Sequence, residues 1–182
     1  MPLEPDNLQD EATLVRKARW GDNEAFAQLY RAHARAIHAL SHRLTGDAAA
    51  AEDVTQETFL RMLGFFNGLH RDTPLRPWLK RVAANAAIDR IRQNRRYVAE
   101  LAEEDAMVLN EDPGAIMDMN DLLRRMPPVA HTLVWLHEVE GWSHPELAER
   151  FGRSQSWSKS ILSRALATLR NDLEHENDDA HD

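Results

Sequence analysis

Cysteine is absent from the 182 residues of the chain. That excludes a disulfide framework and any thiolate metal centre, and it fits a reducing compartment. No apolar run approaches the ~20 residues a helix needs to cross a bilayer. The N-terminal MPLEPDNLQDEATL is acidic and lacks the basic start and apolar centre of a secretory signal. The expectation is a cytoplasmic protein with no direct membrane insertion. Strand signals are scarce, because β-branched and aromatic alternation never persists. P-loop, dinucleotide-binding glycine and G-x-S-x-G patterns are missing too, and Glu103 with Glu104 sits in a solvated charge run. No enzyme, cofactor or small-molecule substrate is expected.

What is present is a chain with 43% hydrophobic residues, enough for a real core, whose apolar positions recur at helical spacing almost throughout. The fold class is all-α. A first helix is expected over residues 10–20, and Asp22 caps a second that carries Phe26, Leu29, Tyr30, Ile37 and Leu40 up to Gly46. AAAAEDVTQETFLRMLGFF makes a third, with Ala51, Val54, Phe59 and Leu63 facing inward and Gly64 and Gly68 bracketing its end.

Charge is distributed unevenly. The net charge is -8, yet residues 71–96, RDTPLRPWLKRVAANAAIDRIRQNRR, hold eight basic residues against two acidic ones. On a helix, Arg81, Asn85, Arg92 and Arg96 share one face with Asp89 at its edge. Guanidinium groups neutralise phosphates and stack on bases, and an asparagine can pair with a base edge, so this face suits a strand with unstacked bases. A solvated face whose arginines pair with the acids of residues 100–105 fits the spacing equally well. Residues 97–121 contain eight acids and no base; they read as a linker, unless residues 97–110 continue the preceding helix with a solvated acidic face. Both readings separate two small helical domains, 1–96 and 122–172, before an acidic tail, 173–182.

The second domain carries helix-turn-helix signals. Pro127 and Pro128 sit where a helix starts, with Leu133, Leu136 and Val139 on its buried side before Gly141. Ser143 and Glu146 form a capping box, Gly152 ends that short helix, and Ser154 caps a longer one. Ile161, Leu162, Ala165, Leu166 and Leu169 form its apolar stripe. Its outward positions are Ser156, Ser160, Ser163, Arg164, Ala167 and Arg170, flanked by Trp157 and Lys159. Short hydroxyls and cations on such a helix suit phosphate positioning and base reading in a major groove.

Three segments in order resemble bacterial sigma factors: AEDVTQETFLRML their polymerase-binding helix, TPLRPWLKRVAANAAIDRIRQNRR the promoter-melting segment, and MPPVAHTLVWLHEVEGWSHPELAERFGRS the C-terminal helix-turn-helix. With two domains and a short linker, the chain resembles the extracytoplasmic-function group of the sigma-70 family. The resemblance implies that Asp53, Gln56, Glu57 and Phe59 dock on a coiled coil of the largest subunit of RNA polymerase core enzyme. Trp78, Asn85, Asp89 and Arg92 would open and read the minus-ten element of promoter DNA, with HRDTPLRP helping to form a pocket for a flipped base, and Arg81 and Arg96 of the same face complete the expected minus-ten contacts. Arg153, Ser154, Ser156, Trp157, Lys159, Ser160 and Arg164 would read the minus-thirty-five element. An anti-sigma factor is the further partner implied, and it could hold the protein at the membrane.

Departures from the family pattern include Val129, Ala130 and His131 where a basic residue is usual, and Ile161 in place of an arginine. Ser158 replaces a valine on the buried stripe, so its hydroxyl needs a partner, expected to be the carbonyl one turn back. Trp157 in place of a small polar residue either contacts DNA or shields the turn. A sigma mimic that binds an anti-sigma factor without DNA, and an ordinary helix-turn-helix repressor, are the alternatives. Histidines 38 and 42, one turn apart with His33 nearby, have metal-ligand spacing, but no carboxylate pattern completes a site, so no metal is expected.

Overall fold

The computed structural model describes residues 5–65, 74–99 and 126–179. Residues 100–121 of the expected linker and residues 70–73, the first half of the HRDTPLRP loop, lie outside them. Every regular element among the described residues is helical: α1 Pro5–Arg19, α2 Asn23–Thr45, α3 Ala48–Phe65, α4 Leu75–Ala99, α5 Pro128–Val134, α6 His144–Phe151 and α7 Gln155–Asp179. The chain divides into two compact units. Residues up to Ala87 form the first, apart from 44–46, which join Ile88 and everything beyond it in the second.

In the first unit, one turn both ends α1 and starts α2. Gly21 takes φ +87, and the backbone N–H groups of Gly21 and Asp22 donate to the carbonyls of Ala18 and Lys17. These are the two bonds of a Schellman cap. Asp22 Oδ1 then accepts from the backbone N–H groups of Glu24 and Ala25, both at 3.0 Å, which satisfies donors that the new helix cannot. The core is built from Leu29 and Ile37 of α2, Val54 and Met62 of α3, and Leu79 of α4. Each large aliphatic side chain so buried contributes about 1.5–3 kcal/mol. Next to Leu79, the inward face of α4 consists of Ala83, Ala84, Ala86 and Ala87, all buried.

The inward row of α3 differs from the expected one. Met62 is buried while Leu63 is 46% exposed, and Thr55 and Thr58 occupy the buried positions between Ala51 and Met62. Both hydroxyls donate to the carbonyl one turn back, on Ala51 and Val54, at 2.7 Å. That bond removes the cost of burying them. Gly64 lies inside the helix, which continues to Phe65.

In the second unit, α5 starts with Pro128 at its first position and runs into a wider turn at Trp135–Val139, where Glu140 N–H reaches back five residues to the Trp135 carbonyl. This π turn adds a residue to the helical repeat and rotates the residues beyond it. Val139, expected on the buried side, is therefore 55% exposed, while Leu136 stays buried and Trp142 fills the core after the Gly141 turn. The capping box of α6 is complete: Glu146 N–H donates to Ser143 Oγ, and Ser143 N–H to Glu146 Oε2 at 2.8 Å. Gly152, at φ +64, makes the left-handed turn into α7. Leu133, Leu147, Phe151, Leu162, Ala165 and Leu169 close the core.

Candidate docking and nucleic-acid interfaces

On α3, Asp53 and Gln56 are exposed and Glu57 is half-buried. Glu57 Oε1 accepts from the Arg61 guanidinium at 2.5 Å, one turn on. Phe59 lies elsewhere: it is 3% exposed, with its ring 4.6 Å from that of Tyr30. Buried in this way, Phe59 seats α3 on the core and offers no surface to a partner. Beside the acids the structure adds two side chains that sequence reasoning missed, Leu60 at 66% exposure and Leu63. Leu60 follows Gln56 by four residues and Glu57 by three, so the helical repeat carries the signal. An apolar centre rimmed by acids and an amide suits a protein partner with a basic, partly apolar surface.

On α4, Arg81 is exposed and Asn85, Asp89 and Arg92 are half-buried, in the row that helical spacing predicts. Trp78 stacks on Phe65, rings 5.9 Å apart and nearly parallel. Of Arg96 only the helical backbone is described. Within the second unit, Asp89 forms an ion pair with Arg150 of α6, and Arg92 Nη1 donates to the Arg150 carbonyl at 3.2 Å. The acid and one cation of the row are thus held by the residue two before the Gly152 turn.

On α7, Arg153, Ser154, Ser156, Lys159, Ser160 and Arg164 are exposed. Ser154 Oγ accepts from Trp157 N–H at 3.1 Å, which caps the helix as expected. Trp157 is half-buried with its ring 5.4 Å from Phe151, so it packs on the end of α6. Ser158 is fully buried, and its partner is not the expected carbonyl but His144 Nδ1 at 3.0 Å. The His144 ring stacks on that of His137, whose Nδ1 donates to the Trp142 carbonyl at 2.6 Å. A histidine that follows the α6 cap thereby ties the two helices of the motif together.

Burial, then the neighbouring His137 and Lys159, hold the His144 imidazole below its usual pKa, with Glu138 opposing them. The fold favours the neutral ring, so the unfolded chain takes up a proton first as pH falls through 6.5, and stability present above that value is lost. The melting temperature of the protein should therefore drop more between pH 7.5 and pH 5.5 than that of His144→Gln. Equal drops would show that His144 contributes nothing to the pH dependence.

His33 is buried against Glu11, with Nε2 and Oε2 3.0 Å apart, and His38 stacks on His42. Among the described residues no three histidines or carboxylates converge in a metal-ligand group, and no helix is long and apolar enough to cross a membrane.

Comparison with known proteins gives these surfaces a family. Sigma-70 region 2 matches residues 29–97, and Sigma-70, region 4 matches residues 116–169. The chain belongs to the sigma-70 family. This sigma factor is 31% identical over 162 residues to the RNA polymerase sigma factor CarQ of Myxococcus xanthus, covering 86% of this chain and 93% of CarQ. It is 30% identical over 176 residues to NccH of Alcaligenes xylosoxydans xylosoxydans, covering 90% and 94%. To the ECF sigma factor SigW of Bacillus subtilis it is 26% identical, covering 87% and 94%, which places it in the extracytoplasmic-function group. Its fold is also that of CnrH in complex with the cytosolic domain of CnrY, with TM-score 0.52, 24% identity and coverage of 91% and 98%. The sigma factor RpoE from Bartonella quintana, in complex with the anti-sigma factor NepR, gives TM-score 0.52, 20% identity and coverage of 82% and 96%.

Proposed function

We propose that this sigma factor directs core RNA polymerase to specific promoters and starts transcription by recognising and melting them, with the work divided among three helices. The observation that carries the proposal is the match to region 2 and region 4 in chain order, combined with polar or charged residues displayed on α3, α4 and α7. Asp53, Gln56 and Glu57, with Leu60 and Leu63, dock on the polymerase. Asn85 pairs with an unstacked base of the minus-ten element, Arg81, Arg92 and Arg96 hold phosphates or stack, and Trp78 anchors the helix. Arg153, Ser154, Ser156, Trp157, Lys159, Ser160 and Arg164 read the minus-thirty-five element. The acidic residues 97–121 separate the two DNA-reading domains and discourage binding to nonspecific DNA.

Two solved relatives in fold, RpoE and CnrH, are each bound by a partner protein, NepR and the cytosolic domain of CnrY. A protein regulator of this kind, an anti-sigma factor, is part of the proposal. The deciding experiment combines purified protein, core polymerase and a native promoter library, and maps transcripts. A sigma factor yields sequence-specific initiation; a mimic or a repressor yields none.

In the same assay format, binding to a promoter panel at several salt concentrations separates two roles on α7. Lys159→Ala should weaken all promoters alike and reduce the salt slope by about one counterion. Arg164→Ala should in addition relax sequence preference, because a groove-facing guanidinium reads bases at ~1–3 kcal/mol per contact. Identical, sequence-blind losses would confine Arg164 to phosphate.

A further inference from the structure

At the end of α1, outside both family matches, Trp20 is 86% exposed, more than any other large apolar residue of the chain for which exposure is described. It lines an open concavity of about 450 Å³ together with Arg16, Lys17, Gly21 and Asp22. The backbone beneath the indole is fixed, because Trp20 N–H donates to the Lys17 carbonyl and the Schellman cap and the Asp22 N-cap follow immediately. What a ligand has left to order there is the indole's two side-chain torsions, not the backbone that carries it.

The surroundings carry both signs, since Asp22 lines the concavity with Arg16 and Lys17, but the acids have partners in the fold. Asp22 uses Oδ1 to cap α2, Glu24 accepts from Gln28 and Arg31, and Glu11 is taken by His33. Arg16 and Lys17 are exposed and make no ion pair among the described residues. Cations in the last turn of a helix have a dipole reason to be there. That reason does not account for an indole standing in solvent between them. An aromatic face flanked by two long cations, over a concavity with room for a flat ring and its phosphate, is the arrangement that binds unpaired nucleotides.

We infer that Trp20, Arg16 and Lys17 form a single-strand nucleic-acid site separate from the α4 row, in which an unpaired base stacks on the indole and its flanking phosphates meet the two cations. The ligand class is a single strand of DNA, read by stacking and charge without base-edge hydrogen bonds.

The test uses the full chain and a dye-labelled oligothymidylate, with affinity measured by fluorescence anisotropy at several salt concentrations. Trp20→Ala should weaken binding roughly 5- to 100-fold, as loss of one base stack does, and Trp20→Phe should restore most of it. Arg16→Gln and Lys17→Gln should each flatten the salt dependence by about 0.7, the single-strand value per neutralised phosphate. Asn85→Ala, measured alongside, reports the α4 row independently, and Trp20→Ala should lower affinity by the same factor in that background. The inference is overturned if wild-type protein does not bind the oligonucleotide, or if Trp20→Ala binds like wild type. It is equally overturned if Trp20→Leu binds as well as Trp20→Phe, or if Trp20→Ala loses core polymerase while keeping the oligonucleotide, since that would make the indole a protein contact.

Discussion

Reversing the charge of Asp53 and Glu57 together is expected to weaken binding to core polymerase roughly 10- to 100-fold, the loss seen when charged partners in a protein interface are mismatched. The fold should survive. Asp53 is exposed and Glu57 half-buried, and the ion pair of Glu57 with Arg61 along the same helix is worth about 0.3–0.5 kcal/mol. A titration against core enzyme, with circular dichroism as the control, measures both points. Unchanged affinity in a natively folded variant would remove α3 as the docking surface. Leu60→Ala supplies an uncharged counterpart, because its exposed side chain can be truncated without opening a cavity.

The second large effect concerns promoter opening. Separated strands leave unstacked bases that must be captured, and holding each base is worth ~1–3 kcal/mol. Asn85→Ala should therefore leave polymerase binding and the closed complex intact while permanganate-reactive thymines in the minus-ten element decline by about an order of magnitude. Arg92→Ala should do the same, but its reading needs a stability control, since Arg92 also donates to the Arg150 carbonyl. Normal melting by both variants would mean that α4 does not capture the open strand.

What could be read in the sequence was mostly local. The Ser143 and Glu146 capping box, the Gly152 turn and the Ser154 cap depend on residues within four positions of one another, and all three stand as expected. Periodicity also predicted the row of Arg81, Asn85, Asp89 and Arg92. It went astray where polarity or backbone geometry broke the pattern. Thr55 and Thr58 look like surface residues until their hydroxyls are paired with carbonyls one turn back, so polarity alone points to Leu63 as the inward residue. Val139 turned outward because of a π turn that no local residue announces. Ser158 found His144 fourteen residues away, and Asp89 found Arg150 sixty-one residues away. Pairings of that separation arise from tertiary packing, which single-sequence spacing does not encode.

The buried alanines of α4 have a consequence for how this protein can change over generations. Ala83, Ala84, Ala86 and Ala87 are already close to the smallest side chains a stable helix tolerates. Any exchange there other than to glycine adds volume, and overpacking a filled core costs about 1–3 kcal/mol, a large share of a small domain's margin. The opposite side of the same helix meets no such limit, because Arg81 is exposed and Asn85 half-buried. Sequence drift is therefore channelled: overpacking holds one face of α4 nearly fixed, while on the face proposed to read the promoter the fold is tied at Asp89 and Arg92, through Arg150, and the rest of that row can change without adding volume to the core.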